Sequence, residues 1–293
     1  MGLNKLNHVT FPRGKITNAS EMYKNCTNLC NTSSSTVDDN SITDMSSMYE
    51  NCYNYINLPY CSDSVINMSR AYFKSKVYGE PKCGNNVTDM SYAYANTAIS
   101  SGNFACGPKV TNMSHAYENC YNTSSLNGTF ACGNNVIDMS YAYASIDTYY
   151  WDNNKTPVCG NNVVNMSHAY YNLRYKLTGQ AACGPKVEDM SCAYENCVYV
   201  GFNCGPNVVN MYRAFAECDY SSSYPYVCGD NVIDMSEAYL ACRYAKYPPA
   251  CGSNVINMAR AYHWCENIQG PLVCGDKVVN MSGAYSNCYY FNG

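Results

Sequence analysis

The side chains of this 293-residue chain best equipped for chemistry are its twenty cysteines. Eighteen fall into two columns of a recurring phrase. Ten stand seven residues before an anchor position: Cys61, Cys83, Cys106, Cys132, Cys159, Cys183, Cys204, Cys228, Cys251 and Cys274. Eight stand seven after it: Cys26, Cys52, Cys120, Cys197, Cys218, Cys242, Cys265 and Cys288. Cys30 and Cys192 lie outside both columns. Cysteines this dense could bridge, hold a metal or supply a nucleophile. Where the later column is replaced, by Ser75, Thr97, Ile146 and Leu173, the next cysteine persists at Cys83, Cys106, Cys159 and Cys183. Bridge partners would be lost together, and Ile and Leu mark an apolar site. The columns are therefore expected to be reduced thiols, buried and stacked as small hydrophobes. Cys52–Cys61 and Cys197–Cys204 are the nearest disulfide candidates. No Cys-x-x-Cys occurs, so neither a metal site nor a cofactor is expected.

The remaining candidates are weaker. Of four histidines, His115 and His168 share an outward place two after the anchor, and His263 lies near Cys265. Asp44, Asp89, Asp138, Asp189 and Asp234 form an acidic ladder. In the other repeats Asn18, Asn67, Asn112, Asn165, Asn210, Asn257 and Asn280 take the same place. Capping of a helix start, with a side-chain oxygen accepting a backbone N–H, suits that interchange better than catalysis or calcium binding. The chain has no phosphate-cradling glycine loop and no nucleophile elbow. No catalytic residue is assigned, and the protein is expected not to be an enzyme.

What must position these groups is a repeat. The phrase Cys-Gly-x-x-Val-x-Asn/Asp-Met-Ser-x-Ala-Tyr-x-x-Cys recurs with anchors at Met45, Met68, Met90, Met113, Met139, Met166, Met190, Met211, Met235, Met258 and Met281. Ala19 takes the anchor place in an earlier copy. The twelve copies are spaced 21–27 residues apart. A β-branched residue stands three before each anchor. Ala, or Met in the first two copies, follows three after it, and Tyr or Phe215 four after it. Apolar residues at 0, +3, +4 and +7 form one face of a helix, so the spacing predicts about two helical turns per repeat behind an extended lead-in. Two turns are too short to stand alone, and stacking must bury them. The expected architecture is an α/β solenoid of about twelve strand–short-helix repeats over residues 16–288. A cap segment, 1–15, and a tail, 289–293, flank it.

The string Ile42-Thr43-Asp44-Met45-Ser46-Ser47-Met48-Tyr49-Glu50-Asn51-Cys52 resembles the BspA-type leucine-rich repeat of bacterial surface proteins, and the resemblance runs over roughly residues 16–288. It departs from that family in carrying Cys-Gly where Asp-Thr-Ser is commoner. The resemblance implies a leucine-rich-repeat-like stack used as a binding scaffold without a shared catalytic site.

A net charge of −4, with 14% charged residues, argues against a nucleic-acid partner, which needs a basic patch. No apolar run is long enough for membrane insertion, and the opening residues show no signal peptide. Eleven of the 31 tyrosines belong to the repeat, leaving twenty for connections and outer positions. Mixed with Ser, Asn and Gly, they resemble a paratope. Tyr149, Tyr150 and Trp151, in the longest connection, form the favoured contact patch. Tyr220, Tyr224, Tyr226, Tyr244 and Tyr247 are further candidates. The expected function is rigid recognition or assembly by a fibre or surface decoration component of a phage or viral particle. Its partner is expected to be a protein or glycan on a cell surface, or the subunits of a larger assembly, with self-association included. The expected location is a virion surface or the extracellular space. A secreted adhesin and an intracellular interaction scaffold are the alternatives.

Overall fold

After each anchor the backbone makes overlapping turns where the spacing predicts a helix. The computed structural model describes residues 8–9, 15–29, 31–32, 41–57, 61–100, 103–104, 106–121, 131–147, 157–173, 177, 179–180, 183–197, 200–201, 203–218, 228–247, 251–270 and 274–290. In the second rung, Met48 N–H donates to Met45 O, Glu50 to Ser47 O and Cys52 to Tyr49 O, at 3.1–3.3 Å. The amides between them point along the stack. Met45, Ser47, Tyr49 and Asn51 donate to the carbonyls of Asn67, Ser69, Ala71 and Phe73 in the next rung, at 2.8–2.9 Å. Met190, Cys192, Tyr194 and Asn196 repeat the scheme onto Asn210, Tyr212, Ala214 and Ala216.

An α-helix would return each amide to the carbonyl four residues back. That is blocked in every rung, because the residues two and six after the anchor are left-handed. Ser47 has φ 53°, Asn51 61°, His115 56° and Asn119 52°. Such a conformation costs an L-residue roughly 1–2 kcal/mol, less for Asn, and the bonds between rungs offset it. Asn fills the sixth place in seven rungs: Asn25, Asn51, Asn96, Asn119, Asn172, Asn196 and Asn287. No α-helix occurs among the described residues. The strand–short-helix repeat is thus corrected to a turn-built rung.

The same geometry revises the helix caps. Asn18, Asp44, Asn67, Asp89, Asn112, Asp138, Asn165, Asp189, Asn210, Asp234, Asn257 and Asn280 each accept the backbone N–H two residues on, at 2.8–3.2 Å. With no helix behind them, these are Asx turns that start a run of turns.

The chain divides into two compact units, Met1–Trp151 and Asp152–Gly293, at its longest connection. Six anchors lie in each. Within the first unit the residues before the anchors pair in parallel from Asn18 through Asp44, Asn67, Asp89 and Asn112 to Asp138. Within the second they pair from Asn165 through Asp189, Asn210, Asp234 and Asn257 to Asn280. Short parallel strands lie in the connections. β1 (His8–Val9) pairs with β2 (Asn31–Thr32), and β6 (Gly179–Gln180) with β7 (Val200–Gly201). β3 (Tyr55–Asn57), β4 (Lys76–Tyr78) and β5 (Ala98–Ile99) form a three-stranded sheet in which Tyr55 is level with Lys76 and Lys76 with Ala98.

Each unit has its own core of columns. Val87, Met90, Ala93 and Tyr94 are fully buried in the first, and Val208, Met211, Ala214 and Phe215 in the second. Burying each large apolar side chain stabilises by roughly 1.5–3 kcal/mol. The aromatic rings stack face to face, with centroids 5.1–5.9 Å apart from Tyr23 to Tyr143. From Tyr170 to Tyr285 they are 5.0–5.7 Å apart.

Candidate recognition surface

The thiols, the most reactive groups in the sequence, are committed to the backbone. None of the described cysteines is bridged, Cys52, Cys61, Cys197 and Cys204 among them, so neither candidate disulfide forms. In the later column, from Cys52 onward, each sulfur donates to the carbonyl of the aromatic residue one rung back. Cys120 reaches Tyr94 O at 3.1 Å, Cys218 Tyr194 O at 3.0 Å and Cys265 Tyr239 O at 3.0 Å. Ser75 and Thr97 do the same with their hydroxyls, each 2.5 Å from the carbonyl oxygen of Tyr49 and Tyr72. The column is therefore a row of donors, and Ser and Thr occur in it because they keep the donor. Thinking of these cysteines only as small hydrophobes misses that bond. Ile146 and Leu173 carry no donor.

In the earlier column the sulfur accepts. Gly84, Gly107 and Gly133 N–H donate to the sulfurs of Cys61, Cys83 and Cys106 at 3.1–3.3 Å. Burial pushes the Cys61 and Cys106 thiols up to about 11 and Cys83 up to about 12. Cys183, Cys204 and Cys228 are raised in the same way, to about 12, 11 and 12. Cys192, outside both columns, is buried and pushed to about 12. Thiols this far above neutrality are protonated and poor nucleophiles. The glycines serve close approach between rungs. A Cβ on Gly252 would lie 2.4 Å from Gly229 O, and one on Gly184 2.5 Å from Gly160 O.

The histidines are also placed. His115 is sandwiched between Tyr92 and Tyr141, at centroid distances of 4.2 and 4.5 Å, and its Nδ1 meets Glu118 Oε2 at 2.8 Å. This half-buried stack at the second place after the anchor was not foreseen. Its signal was the rings of Tyr92, His115 and Tyr141 at the same place in three successive rungs. His263 Nδ1 bonds to Ser286 Oγ, while Cys265 is turned onto Tyr239 O, so the two do not form an acid–base pair. Among the described residues no group of three or more His, Cys, Asp or Glu side chains could hold a metal ion.

Charge on the outer faces is locked rung to rung. Arg70 donates to both oxygens of Glu50, at 3.1 and 3.0 Å. Arg213 bridges Glu195, at 3.1 and 2.7 Å, and Glu237, at 2.5 Å. These bidentate pairs tie successive rungs.

Of the candidate contact aromatics, Tyr244 and Tyr247 are exposed, at 53% and 60%. Tyr53, Tyr78, Tyr212, Trp264, Tyr289 and Tyr290 are exposed as well. Tyr149, Tyr150, Trp151, Tyr220, Tyr224 and Tyr226 lie outside the described residues. Among the described residues no helix is long and apolar enough to cross a membrane.

Residues 5–103 match the family described as "Mycoplasma protein of unknown function, DUF285". Among solved structures the chain is similar to a leucine-rich repeat protein from Bacteroides ovatus. The two are 12% identical with a TM-score of 0.45, over 98% of this chain and 78% of that one. No curated protein matches the chain.

Proposed function

We propose that the protein is a non-enzymatic recognition or assembly element displayed at a surface. Its partner is a protein or glycan on a cell, or the subunits of a larger assembly. One observation carries this. The interior columns and the backbone bonds between rungs are alike in both units, while the second place after the anchor varies from rung to rung. There the first unit carries Arg70, Tyr92, His115 and Tyr141, and the second carries His168, Cys192, Arg213, Glu237 and Arg260. The rung backbone accepts any of these residue types at that place, so those that reach solvent can serve in contact. Among the described cysteines all but exposed Cys274 are buried or half-buried, and the net charge disfavours nucleic acid. Exposed Tyr244 and Tyr247 supply rigid amphipathic contact area. The finer form of the proposal is a fibre or decoration protein of a viral or phage particle, with its rungs a variant of the BspA-type leucine-rich repeat.

The test is saturable binding of the full chain to arrays of cell-surface proteins and glycans. It is repeated with Tyr244→Ala and Tyr247→Ala together, and with Tyr149, Tyr150 and Trp151 changed to Ala. The expected result is binding to one class that a variant set abolishes at an unchanged unfolding midpoint. Binding that neither set alters would refute these patches. Turnover of an array compound would refute the non-enzymatic assignment. Labelled antibodies that decorate no particle would refute the finer form.

A further inference from the structure

The residues two before the anchors face outward, and the two units use them differently. In the first unit they are Thr17, Thr43, Ile66, Thr88, Thr111 and Ile137. Thr43, Thr88 and Thr111 turn their hydroxyls onto the carbonyl of the same place one rung back, at 3.1–3.3 Å. In the second unit the series is Val164, Glu188, Val209, Ile233, Ile256 and Val279. Val209, Ile233 and Ile256 are 37%, 44% and 44% exposed. The first unit shows that the fold accepts a polar residue here. The fold therefore does not require the aliphatic row of the second.

That row forms one wall of a shallow groove of about 480 Å³, and Asn207, Asn231 and Asn254 form the other. Each asparagine is tied down, its Nδ2 donating to a backbone carbonyl of the preceding rung at 2.6–2.9 Å. Glu188 closes one end of the groove and Lys277 the other. Four rung steps separate them, roughly 19 Å at the spacing of parallel strands. Among the described residues neither makes an ion pair. Lys277 Nζ reaches only the amide oxygen of Asn254, and Lys186, the other cation on this face, is turned one rung back onto Asn162 Oδ1 at 2.7 Å.

An apolar stripe with an acid at one end and a base at the other is complementary to its own reverse. We propose that this groove is the contact face of a two-fold dimer, its occupant a second copy of the chain lying antiparallel. Reversing the rung order sets Val209 level with the partner's Ile256 and Ile233 level with the partner's Ile233. It sets Glu188 level with the partner's Lys277, one column aside, once at each end, while Lys186 beside Glu188 is held back on Asn162. Such an interface is isologous, so every contact occurs twice. The apolar row is buried from water, and the terminal ion pairs fix the register and exclude the parallel arrangement. This inference rests on the exposed columns of the second unit alone and stands whether or not the recognition reading does.

The experiment is sedimentation equilibrium of the full chain at rising concentration and low salt. Glu188→Lys, Lys277→Glu, the double reversal and Ile233→Asp are compared with wild type. Wild type is expected to reach twice the monomer mass. Each single reversal should raise the dissociation constant by tenfold or more, since two pairs are lost and each tenfold corresponds to about 1.4 kcal/mol. The double reversal should restore dimerisation, which a merely structural role for either residue would not produce. A wild-type chain that stays monomeric overturns the proposal. So does a double reversal no tighter than the singles, or an Ile233→Asp chain that dimerises like wild type at an unchanged unfolding midpoint. Should Ile233→Asp fail to fold, the charge reversals at two exposed side chains still decide.

Discussion

Replacing Thr97 by Val removes one hydroxyl and little else, which makes it the sharpest probe of the later cysteine column. Thr97 is fully buried, and its Oγ1 lies 2.5 Å from Tyr72 O and 3.3 Å from Ala95 O. Its neighbours in the same column are Ser75 one rung back and Cys120 one rung on, and both donate to the equivalent carbonyl. Valine keeps the shape and deletes the donor; Tyr72 O keeps the Ser75 N–H at 3.1 Å, so the change costs the net value of one buried hydrogen bond, about 0.5–1.5 kcal/mol. If burial of an apolar group were the column's purpose, the same change would stabilise, because a buried hydroxyl is exchanged for a methyl. The two accounts thus differ in sign. The complementary change, Cys120→Thr, keeps a donor in place of the thiol and is expected to cost less than Cys120→Val. The measurement is the urea midpoint of each variant at neutral pH under reducing conditions. A Thr97→Val chain as stable as wild type or more so, with Cys120→Val no worse than Cys120→Thr, would refute the donor column.

Gly252→Ala drives a Cβ to 2.4 Å from Gly229 O and should destabilise by about 1–3 kcal/mol or more. Gly133→Ala, whose nearest atoms lie at 3.4 Å, should cost clearly less in the same thermal or urea assay. Alkaline pH should weaken the fold. Cys83 and Cys228 start from an ordinary 9.0 and are held at about 12 by burial, so above pH 9 the folded chain binds more protons than the unfolded one. Their contribution is complete below pH 9 and falls by about 1.4 kcal/mol per thiol per pH unit above it; a urea midpoint unchanged from pH 8 to 10.5 would contradict this. Arg213→Ala strands Glu195 and leaves Glu237 only Arg260, at 3.2 Å, which should cost about 1–3 kcal/mol at this partly exposed site. Arg213→Lys should recover only part of the loss, lacking the planar fork.

The packing was legible in the sequence; the hydrogen-bond pattern was not. Residues at 0, +3, +4 and +7 do share a buried face, as Met90, Ala93 and Tyr94 show together with Thr97. A helix gives that spacing because it advances 3.6 residues per turn. Three overlapping turns, each closed over three residues, give it too, so apolar periodicity alone does not separate them. The discriminating signal lay elsewhere. Asn at the sixth place in seven rungs marked left-handed backbone, which a helix interior excludes. The cysteine column held a second clue in its substitutions. Ile146 and Leu173 pointed to an apolar site, while Ser75 and Thr97 pointed to a donor, and only the carbonyl of the rung behind shows why both kinds fit. The glycines were legible as necessary, yet their reason, a neighbouring backbone at 2.4–2.6 Å from a Cβ at Gly107, Gly184 and Gly252, belongs to the stacking of distant residues and leaves no local trace.

This division explains why the interior is monotonous and the exterior is not. Every second amide after an anchor is donated forward, so one rung's backbone is satisfied only by the next, whatever that rung carries outside. The αL residue two after the anchor has its N–H in that ladder and its side chain off the Met, Ala and Tyr columns, and Tyr92, His115, Arg213 and Glu237 all serve there. Selection on stability therefore acts on the Met, Ala, Tyr and thiol columns, and leaves the outward columns to be set by contact. The contrast two before the anchor supports this. In the first unit threonines bonded to their own stack separate exposed Ile66 from Ile137, whereas in the second Val209, Ile233 and Ile256 run unbroken. An exposed aliphatic row that the fold does not demand has its cause outside the rung, in whatever lies against it.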